Sequence, residues 1–414
     1  MNTINFTLSN GLRIISTRKN DSPIISITLA GIASGLSEAP NEIGMAHFLE
    51  HLVLKQTIKY PDEKIFSELI KSTGGYSNGT TGYNVVHYSA SHNEDYIETA
   101  FDFISQLFLY PIFSQQVFDR EKKVILEEAG RHYSNIDVLV YQAIVSSFSK
   151  NSRLQATVIG TKEQIACIEL ETLKQFHAKL YLPKYFLLSI VSNKSNEEII
   201  ALCEKYFESK VASNQITFDE KYITNIKYTE PSKKEIVLEF PHLKSDKLTF
   251  AFGLETVTLE ENDAMAIGRE IVRKRLYDIL RVNLGLTYGV ICQHSTNSNL
   301  GIFSISIESA NENITKAETT IQNEISNIIS NGINEQEFER AKSRYKVQLD
   351  FLSEKSLGIA EQIAVSSVKR NESNILENEY ATLSKLSRQI VETTLHRYLR
   401  CEPLKVIATC GEKK

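Results

Sequence analysis

The chain has 414 residues, 42% of them hydrophobic and 23% charged, with a formal net charge of -5 at neutral pH. At roughly 100–200 residues per domain, two to four domains are expected, with enough core to fold without disulfide or metal staples. The mild acidity, with no Lys/Arg run, argues against nucleic acid or a membrane surface as partner, and no apolar run approaches the ~18 residues that span a bilayer.

The five cysteines (Cys167, Cys203, Cys292, Cys401 and Cys410) are scattered and form no C-x-x-C. They read as free thiols in a reducing compartment. The opening MNTINFTLSNGLRII lacks a basic stretch followed by an apolar one, so no signal peptide is expected and the location is read as cytoplasmic.

Apolar alternation predicts strands at INFTL, LRIIST and IISITLAG, with Asn10-Gly11 as a hairpin turn between the first two. Helices are predicted near 44–55 and 62–73, a strand at 83–91, then helices at 94–109 and 114–130, the latter capped by Ser114. Helices near 134–149 and 168–180, the buried strand FLLSIVSN and a helix at 196–208 complete the first half. Residues 212–234 are polar without helical period and read as a linker between domains at 1–211 and 235–414. Strands KEIVLEF and KLTFAFGLE follow, then a helix near 261–282 and strands at 287–293 and 301–308. Helices at 312–330, 335–352 and within 357–398 precede a closing strand, KVIATC.

The halves read as a repeat of one another, although strand-to-helix turns often look alike. VVHYSASHNED leads through a helix to VFDREKKVILEE, as FSISIESANEN leads through a helix to EFERAKSRYKVQ. Asn93-Glu94 matches Asn311-Glu312, and Phe118-Asp119-Arg120 matches Phe338-Glu339-Arg340. The reading is α+β: two homologous domains, each a mainly antiparallel sheet packed against helices.

The chemistry concentrates in HFLEHLVLK, residues 47–55. Positions four apart share a helix face, so His47 and His51 present two imidazoles to one point, with Glu50 at its border. Two imidazoles and a carboxylate suit zinc, although a buried histidine is often only a hydrogen-bonded core residue. A third ligand must come from another element. Glu121 and Glu128, two turns apart on the helix at 114–130, offer a ligand and a carboxylate that orients a histidine ring. A solvated acidic face reads as well from spacing alone.

His47-x-x-Glu50-His51 followed by Glu128 resembles the inverted zinc motif of the pitrilysin and mitochondrial-processing-peptidase family. GMAHFLEHLVLKQT and EKKVILEEAG resemble that family's two motif segments, and the likeness runs through LSNGLRIIS and FHAKLYLPKYFLLSIVSN. The resemblance implies one zinc ion per chain held by His47, His51 and Glu128. Glu121 would lie behind a ligand, and Glu50 would be the base that deprotonates water. Arg281-VNLGLT-Tyr288 resembles the family's substrate-binding Arg/Tyr pair, and Asn78 and Thr81 match a strand that pairs with substrate. Gly79 stands where the family has alanine, Leu54 and Gln56 replace a common Phe and Gly, and NSRLQATVIGT lacks the usual His-Pro. The second half has Ala341 and Gln348 at the positions of Glu121 and Glu128.

The resemblance thus implies a zinc endopeptidase acting on unfolded peptides. Its chamber would be closed by two copies, each lending its Arg/Tyr pair to the other's zinc site. A non-catalytic peptide-binding or scaffolding subunit and a protease dedicated to one peptide precursor are the competing readings.

Overall fold

The computed structural model describes residues 2–208, 226–255, 257–297, 300–370 and 375–410. The linker expected at 212–234 lies outside the described residues as far as residue 225. Two compact units emerge, each assembled from three stretches of chain. The first combines Met1–Arg131, Ala156–Ile223 and Asp350–Asn378; the second combines His132–Gln155, Thr224–Leu349 and Glu379–Lys414.

The first unit is built on a sheet of β1 (Asn2–Thr7), β2 (Arg13–Arg18), β3 (Ile24–Gly31), β4 (Tyr76–Thr81), β5 (Val86–Asn93) and β6 (Phe186–Ser192), in the order β1-β2-β6-β3-β5-β4. Only β2 and β6 run parallel. Its helices are α1 (Met45–Val53), α2 (Glu63–Lys71), α3 (Ile97–Leu109), α4 (Gln115–His132, continuing one residue beyond the unit), α6 (Lys162–Cys167), α7 (Leu170–Leu180) and α8 (Asn196–Phe207). The intervening helix α5 (Ile136–Phe148) belongs to the second unit.

Both faces of this sheet are buried, one apolar and one lined with hydroxyls, which is why IISITLAG alternates Ile and Leu with Ser and Thr. One face carries Leu29, Tyr88 and Leu188, and α3 covers it, with Phe108 against Phe186 at 4.7 Å. The other carries a hydroxyl ladder. Ser26 meets Ser91 at 2.7 Å and Thr28 meets Ser89 at 3.1 Å. A helix from far along the chain, residues Ser356–Arg370, lies across that face. Its Ile359, Ala360, Ile363 and Ala364 form one stripe and pack with Ile15, Ala30, Leu187 and Val191, while Ser89 donates to Glu361 at 2.9 Å.

The second unit repeats this plan. Strands β7 (Glu235–Glu239), β8 (Asp246–Glu255), β9 (Val290–Asn297), β10 (Leu300–Ser309) and β11 (Leu404–Thr409) are ordered β7-β11-β8-β10-β9. That is β2-β6-β3-β5-β4 over again, including the one parallel pair, here β7 with β11. The hydroxyl ladder returns as Thr249 and Ser306, 2.9 Å apart. Here α5 packs on β8 and β11, and Gly253 is bare because Phe148 occupies the space of its side chain. The remaining helices are α9 (Leu259–Tyr277), α10 (Ile314–Asn331), α11 (Glu335–Glu354, whose last turn belongs to the first unit), α13 (Ile375–Lys385, shared between the two) and α14 (Arg388–Leu399); the helix at Ser356–Arg370 is α12. Each repeat therefore sends one helix, α5 or α12, to the other unit's sheet.

Element order follows the expectation and some bounds shift. YSNGTT has no apolar alternation, yet it forms β4, because pairing with β5 supplies the hydrogen bonds. The helix expected to 282 closes at Tyr277 and widens into a π-helical turn over Asp278–Asn283. No helix among the described residues is long and apolar enough to cross a membrane.

Candidate metal centre

Helix α1 begins at Gly44, whose φ of 91° few other residues adopt and whose Cα faces the Ile159 carbonyl so closely that a Cβ would stand 2.8 Å from it. Ala46, Phe48, Leu49, Leu52 and Val53 are buried and fix the helix, leaving His47, Glu50 and His51 on the remaining side. Helix α4 has Phe118, Glu121, Ile125 and Glu128 along one face. Phe118 stacks on Phe48 at 4.9 Å with the rings nearly parallel. That contact places the acidic face of α4 over the imidazoles of α1.

His47 Nε2 lies 3.7 Å from one oxygen of Glu128 and His51 Nε2 lies 3.4 Å from the other. One donor atom from each of His47, His51 and Glu128 falls within 4.8 Å of the others. Two nitrogens and an oxygen at that separation fit a tetrahedral ion with one position left over, the set that zinc takes. The other nitrogen of His51 meets Glu121 at 3.4 Å, which fixes the ring. Glu127 is exposed and turned away.

The electrostatics fit a cation. Burial would push the His51 imidazolium down, but its bonds to Glu121 and Glu128 outweigh that and raise it to about 9. Burial works against the Glu121 carboxylate too, yet His51 and Lys55 bring it down to about 2. The bond to His51 likewise holds Glu128 below the usual carboxylate range. Glu50 goes the other way: burial raises it, against the opposing pull of Thr81 and His51. Thr81, at the end of β4, donates to Glu50 Oε2 at 2.6 Å. Gly79 faces the same side, where a Cβ would stand 2.9 Å from Glu50 Cγ. The glycine thus gives Glu50 its room.

Of the residues singled out in the sequence, His47, His51, Glu50, Glu121, Glu128 and Thr81 come together. Asn78 does not: alternation turns it to the opposite face of β4, exposed, with Thr80 as its neighbour at 3.4 Å. Arg281 and Tyr288 lie in the second unit. The guanidinium sits over the Tyr288 ring, 4.9 Å from its centre, on the wall of a cavity of about 560 Å³.

Three further residues escaped the sequence reading. Lys55 reaches Glu121 at 3.1 Å and Glu63 at 3.2 Å, while Arg120 pairs with Glu63 and touches Glu121 at 3.5 Å. They lock the carboxylate that holds His51. The available signal was Lys55 four residues after His51, and Arg120 adjacent to Glu121.

Comparison with known proteins bears on the chain's family. The family model described as Insulinase (Peptidase family M16) matches residues 13–162, and that described as Peptidase M16 inactive domain matches residues 168–345. An uncharacterized zinc protease of Rickettsia bellii is 28% identical over 358 residues, covering 86% of this chain and 85% of its own. One from Bacillus subtilis is 25% identical over 399 residues, covering 95% and 93%. Among solved structures, a protease from Helicobacter pylori superposes with a TM-score of 0.85 at 19% identity over 99% of both chains. A peptidase M16 inactive domain from Pseudomonas fluorescens gives 0.86 at 18% identity, over 99% of this chain and 98% of that one.

Proposed function

The chain belongs to peptidase family M16, and from that membership we propose that it is a zinc-dependent endopeptidase that hydrolyses unfolded peptides. The observation that carries the reading is the convergence of His47, His51 and Glu128, with Glu50 half-buried on the same helix as the two histidines. His47, His51 and Glu128 would hold the ion, which when bound supplies a Lewis acid for a peptide carbonyl.

The protein's own groups do the rest. Thr81 donates to Oε2 of Glu50 and holds in place the carboxylate that would take a proton from water. The raised proton affinity of the half-buried Glu50 suits a group that accepts a proton and then returns it to the departing amine. Glu121, held by Lys55, keeps the His51 ring in one orientation. The outer edge of β4 bonds to no other strand among the described residues, so an extended peptide can add there as a further strand. Such pairing reads backbone more than side chains, and broad specificity follows. Arg281 and Tyr288 hold substrate. In a cytoplasmic homodimer, each copy would lend that pair to a chamber shared with the other.

The test is cleavage of a long unstructured peptide by zinc-loaded protein, with Glu50→Gln alongside at equal metal content. The parent is expected to cut, and the variant to hold zinc with kcat lower by about 10²–10⁴-fold. A parent that holds zinc and cuts no peptide would favour a binding subunit instead.

A further inference from the structure

The cavity beside Arg281 and Tyr288 carries more positive charge than its surroundings neutralise. Lys247, almost fully buried in its wall, pairs with Asp137 and lies 3.8 Å from Glu308. Lys244 and Arg281 also line it, both exposed, and neither meets a carboxylate within ion-pair distance among the described residues. Among the described residues Glu308 is the one acidic side chain in the lining, and it already faces Lys247. At the mouth, Tyr288 is 89% exposed, far more than a tyrosine that packs. A cavity of about 560 Å³ with two uncompensated cations and an open aromatic ring is shaped for an anionic group on an extended chain.

We propose that this cavity is a substrate subsite for a carboxylate, in which Lys244 and Arg281 together select peptides bearing an acidic residue or a free C-terminus. The proposal rests on the peptidase reading and deepens it, since pairing to a strand edge alone would not discriminate among side chains. Two exposed cations acting on one carboxylate are worth about three- to tenfold in affinity, less as salt is added.

The experiment uses the full chain as zinc-loaded Glu50→Gln, so that binding is read without cleavage. One labelled unstructured peptide is made in three versions: neutral with an amidated C-terminus, the same with internal glutamates, and the same with a free C-terminus. Fluorescence anisotropy gives Kd for each at low and at raised ionic strength. At least one acidic version is expected to bind about three- to tenfold tighter than the neutral one, with the advantage shrinking in salt. Which version gains shows whether side chain or terminus supplies the carboxylate. Adding Lys244→Glu should abolish the advantage, whereas Lys244→Arg, and Lys316→Ala on an exposed face of the same unit, should keep it. Equal binding of all three versions, or an advantage that survives Lys244→Glu, overturns the subsite and leaves the peptidase reading standing. Absence of binding by every version counts against both.

Discussion

The two units hold the same frame and differ in what stands on it. Lys122 of α4 caps the carbonyls of Ala166 and Ile168 and lies over the Phe118 ring. Lys342 of α11 does the same to Ser384 and Leu386 and lies over Phe338. Beside these lysines the likeness stops. Glu121 and Glu128 have become Ala341 and Gln348. On the neighbouring helix α9 there are no imidazoles; Arg275 there pairs with Glu324 at 3.1 Å and Glu337 at 2.7 Å, and Glu270 takes Arg344 at 3.2 Å. Packing and carbonyl caps are what the architecture requires of both copies. The ligand set is separable from it.

That contrast can be broken by giving the first unit the residues of the second. Glu128→Gln should abolish stoichiometric zinc binding while leaving the circular dichroism spectrum intact; retained zinc would remove Glu128 from the ligand set. The reverse pair, Ala341→Glu with Gln348→Glu, should create no zinc site, because α9 offers no histidine. Glu121→Ala, again the residue of the repeat, should weaken zinc by about 10–100-fold in competition with a chelator, through loss of ring orientation.

Proton release sharpens the picture further. In the metal-free protein His51 stays charged up to about 9, above its ordinary 6.5, and only the neutral ring can bind a metal. The charged ring stabilises the metal-free fold, fully below 6.5, and that contribution is lost as pH rises through about 9. Zinc affinity should therefore rise about tenfold per pH unit between neutrality and 9, then level off. Calorimetry in buffers of different ionisation heat should find about one proton released per ion at neutral pH. A pH-independent affinity would mean His51 is neutral in the metal-free state. The smallest effects test the shared frame. Lys122→Met and Lys342→Met should each cost about 1 kcal/mol in denaturant unfolding. Unequal costs would show that the two caps are equivalent only in geometry.

Much of this was legible in advance. The spacing of His47, Glu50 and His51 projects onto one helix face whatever surrounds it, and Phe118, Glu121, Ile125 and Glu128 are likewise periodic. The duplication was legible in Asn93-Glu94 and Asn311-Glu312, which both open the turn before a helix. What the linear chain conceals is partnership between distant segments. YSNGTT has no apolar alternation to mark a strand, and only the resemblance pointed to one, because its order comes from β5. The stripe of Ile359, Ala360, Ile363 and Ala364 announces a helix that buries one face, without naming the sheet it buries against. The grip of Lys55 and Arg120 on Glu121 arises only once α1 and α4 are packed.

The path of α12 sets a timetable for synthesis. Every strand of the first sheet has been made by residue 192, but the helix that closes its hydroxyl-lined face ends at residue 370. At bacterial or eukaryotic elongation rates the gap is on the order of ten to thirty seconds. Throughout it Ile15, Ala30, Leu187 and Val191 have no lid from their own chain. The nascent chain thus carries this mixed apolar and hydroxyl-bearing face open while the second repeat is translated, and a chain cut short within that interval lacks the helix that covers it.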